Sequence, residues 1–343
     1  MANNQQAEGQ RRARVRQSAR VRKSARGRRP ARGRKSARDR KRTISFYLFI
    51  APWLLGFVLL SVAPLCIGFF TSLTNYDGFD PADSKFVGLD NYTRAFSDDR
   101  MFLSLSRTIL WAAINTPLWL VVTFCMALVL NQKGIKGRGF LRTLYYVPSI
   151  VPIVGVVWIW KIILDNNFGL LNAIISIFRP GTAIPFMSQY ALQSLSVIAL
   201  WTGLGSGMVI FLAGLQDIPE ELIEAAQIDG ANGLQLFRHV TLPIMTPVIF
   251  FQLVLGLISA FQQLVLPMLL APGQESGGWN PPRGSYLYMI HAYRQLFIYQ
   301  RYGYSTALLW LLFIVIMALT LMVFRTARYW VFYEVEIEGG GQP

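Results

Sequence analysis

Six apolar blocks dominate the pattern of hydrophobic and polar positions, at 43–72, 108–132, 143–160, 190–215, 243–271 and 302–324. A helix needs about 20 apolar residues to cross the hydrocarbon core of a bilayer, and unpaired backbone groups are not tolerated there. The pattern therefore predicts an all-α membrane protein with six spans and both termini on one side. Pro52 and Pro64 interrupt the first block, Pro148 and Pro152 the third, and Gly203, Gly205 and Gly207 punctuate the fourth. Such helices kink or pack closely, as a moving pathway requires, although static membrane bundles use small residues too.

Composition agrees with the pattern. Hydrophobic residues make up 53% of the chain and charged residues only 15%, whereas a soluble domain carries about 25% charged residues. The formal charge of +15 is concentrated: residues 1–42 hold 17 Lys/Arg and two acids, which leaves 16 charges of each sign in the body. This segment repeats Arg-Gln-Ser-Ala-Arg at 16–20 and Arg-Lys-Ser-Ala-Arg at 22–26 and 34–38. It has no apolar periodicity with which to bury a helix face, so a disordered basic tail is expected over 1–42. No aromatics interleave the basic residues as a base-stacking surface would require, so no specific nucleic acid is expected, and membrane lipid headgroups are the natural partner. Under the positive-inside rule the tail places both termini in the cytoplasm, while the remaining Lys/Arg decide nothing. Cys66 and Cys125 lie in apolar runs with no CxxC or histidine neighbour and read as packing residues. His239 and His291 fall on opposite sides of the membrane in this topology, which argues against a metal site or a histidine-based catalytic site.

Spans alone fit a channel, a secondary transporter or an integral membrane enzyme. The loop at 216–243 is more informative, because its chemistry describes two short helices. Pro219 marks a helix start, and Glu220 and Glu221 fall in the first turn, where carboxylates suit the positive end of the helix dipole. Leu222, Ile223 and Ala226 share a face, and Gly230 supplies the stop. A second helix is expected from about Asn232 to Val240, with Pro243 returning the chain to the membrane. The product would be a compact knob beneath the bundle. Small Ala225 and Ala226 would let a partner backbone approach, and Glu224 would accept a charge-assisted bond from a cationic side chain.

The residues Glu224-Ala225-Ala226, Gly230 and Val240-Thr241-Leu242-Pro243 resemble the cytoplasmic signature of the inner-membrane permease subunits of ATP-binding-cassette importers, with Val240 where the family has Ile. Asp229, Ala231, Phe237, Pro247 and the run 212–219 match the extended form found in the carbohydrate-uptake group. Phe86-Val-Gly-Leu-Asp-Asn-Tyr92, Gly139-Phe-Leu-Arg-Thr-Leu-Tyr-Tyr-Val-Pro148 and Trp330-Val-Phe-Tyr-Glu334 are similar to the family as well. After the fifth block the chain departs from many relatives, with Phe261-Gln262-Gln263 in place of an acid after Phe.

The resemblance implies a six-helix type I importer transmembrane domain over 43–326, with cytoplasmic coupling helices at 216–243 and a cytoplasmic C-terminal segment at 327–343. It also implies a set of partners: a second permease, different in sequence, two copies of a cytoplasmic ATPase, an extracytoplasmic solute-binding protein, and a sugar or related carbohydrate as cargo. Glu224, Ala225, Ala226, Asp229, Gly230, Ala231, Phe237, Leu242 and Pro243 would dock the ATPase. No G-x-x-x-x-G-K-[ST] loop occurs, so ATP and Mg are expected on the ATPase, with no catalytic residue and no cofactor in this chain. The location expected is the bacterial cytoplasmic membrane.

Polar groups in spans are costly and usually face the bundle interior. Asn115, Gln252, Gln262 and Gln263 are therefore the pathway candidates, with Trp201, Trp158 and Trp160 as flat faces for sugar rings. The tryptophans also suit membrane-interface anchors, and the amides suit helix pairing. Residues 77–100 and 273–301 are the outer segments polar enough to meet a binding protein.

Overall fold

A computed structural model of the chain describes residues 37–132, 134–271 and 282–332. Most of the basic tail, residues 272–281 and the last eleven positions lie outside the described residues. The chain divides into two compact units, 1–66 and 67–343.

α1 (Ala37–Phe57), in the first unit, runs through a π turn at Val58–Val62 into α2 (Ala63–Ser72), whose residues from Ile67 onward belong to the second. α1 begins at Ala37, inside the stretch expected to be disordered. Helix is costly to start and cheap to extend, so a helix nucleated in the apolar block extends back through Arg and Lys, which are good helix formers. The wide turn has a cause in Pro64, which lacks an amide proton and crowds the carbonyl four residues before it. In the π turn the Ala63 amide bonds instead to the Val58 carbonyl, five residues back.

The second unit contains α3 (Asp90–Phe96), α4 (Asp99–Asn131), α5 (Arg138–Ile150), α6 (Ile153–Leu164), α7 (Leu170–Phe178) and α8 (Ala191–Gln216). These are followed by α9 (Glu220–Ile228), α10 (Gly233–Leu236), α11 (Leu242–Phe261), α12 (Val265–Leu270), α13 (Tyr288–Phe297) and α14 (Tyr302–Ala327). α4, α8 and α14 are each long and apolar enough to cross a membrane, as is the continuous segment Gly233–Phe261.

Two expected spans take a different form. The third block is a pair, α5 and α6, bent by 95°. Val151 adopts the extended conformation that a residue before proline prefers, and Pro152 then starts the new helix. The fifth block ends at Phe261, and its last residues form the separate α12. The knob also has one independent helix rather than two. α10 continues through a π turn at Phe237–Thr241 into α11, so Pro243 does not interrupt the helix. As at Pro64, the turn lies just before a proline, and the Leu242 amide bonds five residues back to Phe237.

α4 packs along α8 and against α11, while α5 packs on the other side of α8. Gly205 makes that second contact possible, because a Cβ there would lie 2.7 Å from the Tyr146 Cα. Ser149 Oγ seals it by donating to the Thr202 carbonyl at 2.8 Å. At the knob end, Phe211, Met208, Leu130, Ile218 and Met245 form one core; at the other end Trp111, Leu195, Tyr288 and Leu308 belong to another. Large apolar side chains such as Ile162 and Leu321 are exposed, as lipid-facing helices require.

The Phe86–Tyr92 motif has a structural role at the far end. Phe86 pairs with Thr74 in an isolated antiparallel bridge, and the Asn91 side-chain amide donates to the carbonyls of Ser72 and Thr74. Tyr92 hydrogen bonds with the Ser72 hydroxyl at 2.8 Å.

Candidate translocation cavity and docking knob

A cavity of about 400 Å³ opens where α4, α8 and α11 meet. Its wall includes Trp111, Asn115 and Trp119 from α4, Gly203 and Gly207 from α8, and Gln252, Gly256 and Ser259 from α11, with Gln263 just beyond. Among the described residues lining it, none is charged. Trp119 stands in a slot made by glycines. A Cβ on Gly203 would come within 2.8 Å of its indole nitrogen, and one on Gly207 within 2.6 Å of its ring. Spaced four apart, these two glycines share one face of α8, while Gly205 serves the opposite contact with α5.

The structure brings three of the four amide candidates together here. Asn115 and Gln252 are buried, Gln263 is half-buried, and Gln252 Nε2 donates to the Gly207 carbonyl at 3.3 Å. Gln262 caps the end of α11 and does not line the cavity. Trp201 lies outside it too, edge-on to Trp160 with ring centroids 5.9 Å apart. Trp158 is exposed with Lys161 over its ring at 5.2 Å, an arrangement that suits an interface anchor. Trp111 and Trp119 escape notice in the sequence because α4 is rich in large apolar residues among which two more indoles do not stand out. The only available signal was the set of glycines on the partner helix.

The knob is organised by its caps. α9 ends in a Schellman motif: the Ala231 amide bonds to the Ala226 carbonyl at 2.9 Å, the Gly230 amide bonds to Gln227, and Gly230 takes φ +83°. The spacing of Glu-Ala-Ala and the following glycine is thus the spacing of a helix end. Asn232 and Gln235 form a reciprocal capping box that starts α10. Phe237 anchors the knob by packing on Phe124, which in turn packs on Phe211. Glu224, Ala225 and Asp229 remain exposed, as do the apolar Ile228 and Leu234. Ala226, Gly230, Ala231 and His239 are among the residues around a hollow of about 330 Å³. Leu242 and Pro243 lie on another side, where the C-terminal segment packs: Thr246 Oγ1 accepts from the Phe332 amide at 2.8 Å, and the Phe250 ring meets Trp330.

The end opposite the knob carries a buried polar cluster. Asp98 caps α4 by accepting from the Arg100 amide at 2.9 Å, and its other oxygen accepts from the Tyr304 hydroxyl at 2.8 Å. His291, fully buried, places Nε2 3.3 Å from that same oxygen and pairs Nδ1 with the Tyr286 hydroxyl at 2.9 Å. Burial pushes the Asp98 carboxyl up, but the Tyr304 hydroxyl, His291 and two backbone amides outweigh it and leave the group below its ordinary range. For His291 burial wins over the pull of Asp98, so the ring is held below the ordinary histidine range.

Residues 119–331 match the family of binding-protein-dependent transport system inner membrane components, a stretch that takes in the knob and most of the cavity wall. The chain belongs to that family. It is a multi-pass permease subunit of an ATP-binding-cassette importer. The permease is 37% identical over 85% of its length, and 93% of the relative's, to a probable ABC transporter permease protein, YesP, of Bacillus subtilis. It is 30% identical to the trehalose/maltose transport system permease protein MalF of Thermococcus litoralis, covering 82% of this chain and 93% of that one. In fold it is similar to a bacterial ABC transporter that imports the acidic polysaccharide alginate, with a TM-score of 0.69, 22% identity, and coverage of 85% of this chain and 97% of that chain.

Proposed function

We propose that this permease forms half of a carbohydrate pathway driven by a separate ATPase, with the knob as the point where force enters. The observation that carries the reading is the knob itself. It is capped at both helix ends, anchored through Phe237, and leaves Glu224 and the apolar side chains of Leu222, Ile228 and Leu234 exposed. A channel or a self-sufficient transporter has no use for such a surface.

In this reading Glu224 pairs with a cation in a cleft of the ATPase, and Ala225 and Ala226 allow close approach. When two ATPase copies close on ATP and Mg, each cleft carries its knob, and the attached helices switch the cavity between the two sides of the membrane. This chain supplies no group to ATP hydrolysis and binds no cofactor. A second, different permease completes the pathway. The termini are cytoplasmic in the bacterial inner membrane, and a solute-binding protein meets residues 77–100 and 273–301 outside, of which 273–281 lie outside the described residues. An uncharged cavity with indole faces and amides suits sugar rings, as do the trehalose/maltose and arabinooligosaccharide systems of relatives.

The test is Glu224→Arg. The variant is expected to reach the membrane with its partner permease yet lose the ATPase on purification and import nothing. Retention of the ATPase together with import at the unaltered rate would sink the docking role.

A further inference from the structure

Two polar atoms in the cavity wall are left without partners. Trp111 and Asn115 lie one turn apart on α4, only 3% and 5% exposed, and neither Trp111 Nε1 nor Asn115 Oδ1 makes a hydrogen bond. One is a donor and the other an acceptor. Buried polar groups are nearly always paired, so an unpaired donor and acceptor one helical turn apart at a cavity need an explanation. Two other side-chain donors of the cavity wall are already engaged: Trp119 Nε1 donates to the Gly203 carbonyl at 2.9 Å and Gln252 Nε2 to that of Gly207.

The chemistry of the missing partner follows from these two atoms. A hydroxyl can accept from Trp111 Nε1 and donate to Asn115 Oδ1 at once. A carboxylate can accept from the indole but has no proton to donate, and it would meet no countercharge among the described lining residues. Both atoms are closed to water in this conformation, so they would meet cargo when α4 shifts against α8 and α11 during the transport cycle.

We infer that Trp111 and Asn115 are a specificity-determining pair that binds an uncharged, hydroxylated ring of the cargo through a single bridging hydroxyl. The inference rests on the carbohydrate-pathway reading and adds to it the residues that recognise the cargo and the charge class that this half of the pathway accepts.

The complete importer with its binding protein is reconstituted in liposomes loaded with ATP. The probe is a pooled partial hydrolysate of starch, chitin and arabinan, offered either as it is or after oxidation of its primary hydroxyls to carboxylates, and imported saccharide is measured by mass spectrometry. The unaltered importer is expected to import the neutral pool and to take up the oxidised pool at least about tenfold more slowly. Asn115→Leu and Trp111→Phe are each expected to lower import of the neutral pool about tenfold. In Asn115→Leu, which is close to isosteric, the thermal midpoint stays level or rises because an unpaired group has been removed, whereas Trp111→Phe also gives up buried ring area and is read by import alone. Import of neither pool by the unaltered protein would overturn the carbohydrate reading and the pair together. Import of the neutral pool that is indifferent to both substitutions would overturn the pair alone, as would a loss of import in Asn115→Leu matched by a fall in its midpoint. Equal uptake of the oxidised pool would overturn the charge class.

Discussion

The Trp119 indole donates to the carbonyl oxygen of Gly203 at 2.9 Å, across a contact that only a glycine permits. The bond ties α4 to α8 in the middle of the permease and fixes the ring that fills one side of the cavity. Gly207→Val would drive a branched side chain into that ring. The expected cost is about 1–3 kcal/mol of stability, and Trp119→Ala in the same chain should recover part of it. Thermal unfolding of the two single variants and the double variant in detergent checks this. Strictly additive losses would show that the indole is not the obstacle.

Gly230 is held at φ +83°, where a β-branched residue is strained. Gly230→Val is expected to cost about 1–2 kcal/mol and to splay the Schellman end that carries Glu224. The measurable result is weaker ATPase retention on purification. Gly139 gives the control: it is helical with open space around its Cβ position, so Gly139→Ala should be neutral or stabilising by up to about 1 kcal/mol.

The outer cluster predicts a pH dependence with a definite sign. His291 is surrounded by Asp98, Tyr286, Arg100 and Arg294, and burial holds it neutral below the ordinary histidine range. The unfolded chain therefore takes up the proton first. The stability contributed by the neutral ring is present above pH about 6.5, and it is lost as pH falls from there toward the depressed folded value. The Asp98 contribution runs lower, present above pH about 4 and lost beneath it. Thermal midpoints should fall between pH 8 and pH 5, and His291→Gln should flatten that part of the curve. An unchanged slope in the variant would assign the dependence to other groups.

Phe250 meets the rings of both Phe324 and Trp330, at centroid distances of 5.0 and 6.0 Å, and so holds the C-terminal segment to α11. Phe250→Ala is expected to cost about 3 kcal/mol or less, since the site is only half-buried, and to release that segment. Faster tryptic cleavage after the exposed Arg328, with other sites unaffected, would be the sign.

How much of this was legible in the sequence depends on the kind of signal each residue sends. Hydropathy marks α4, α8, α11 and α14 because crossing a bilayer is a bulk property of some 20 residues. It does not reveal the 95° bend at Pro152, since a bent pair and a straight span have the same composition. The knob was readable in outline: Pro219, Gly230 and Asn232 act on their own neighbours, and local chemistry survives in a single sequence. Pro243 misleads for the opposite reason, because a π turn absorbs it and lets the helix run on. In the cavity, Asn115 and Gln252 stand out as amides in apolar surroundings. Trp111 and Trp119 do not, because only Gly203, Gly207 and Gly256, distant in sequence, give them their place.

The π turn at Phe237–Thr241 has a mechanical meaning. It lies between the knob and the helix that carries Gln252 and Ser259, and it already holds one residue more than an α-helical turn would. Rewinding that surplus into regular α-helix would rotate everything on one side of it by about 100° and lengthen the path by about 1.5 Å. The shaft joining the knob to the cavity wall therefore has play built into it, so that a thrust at one end can arrive at the other as a twist.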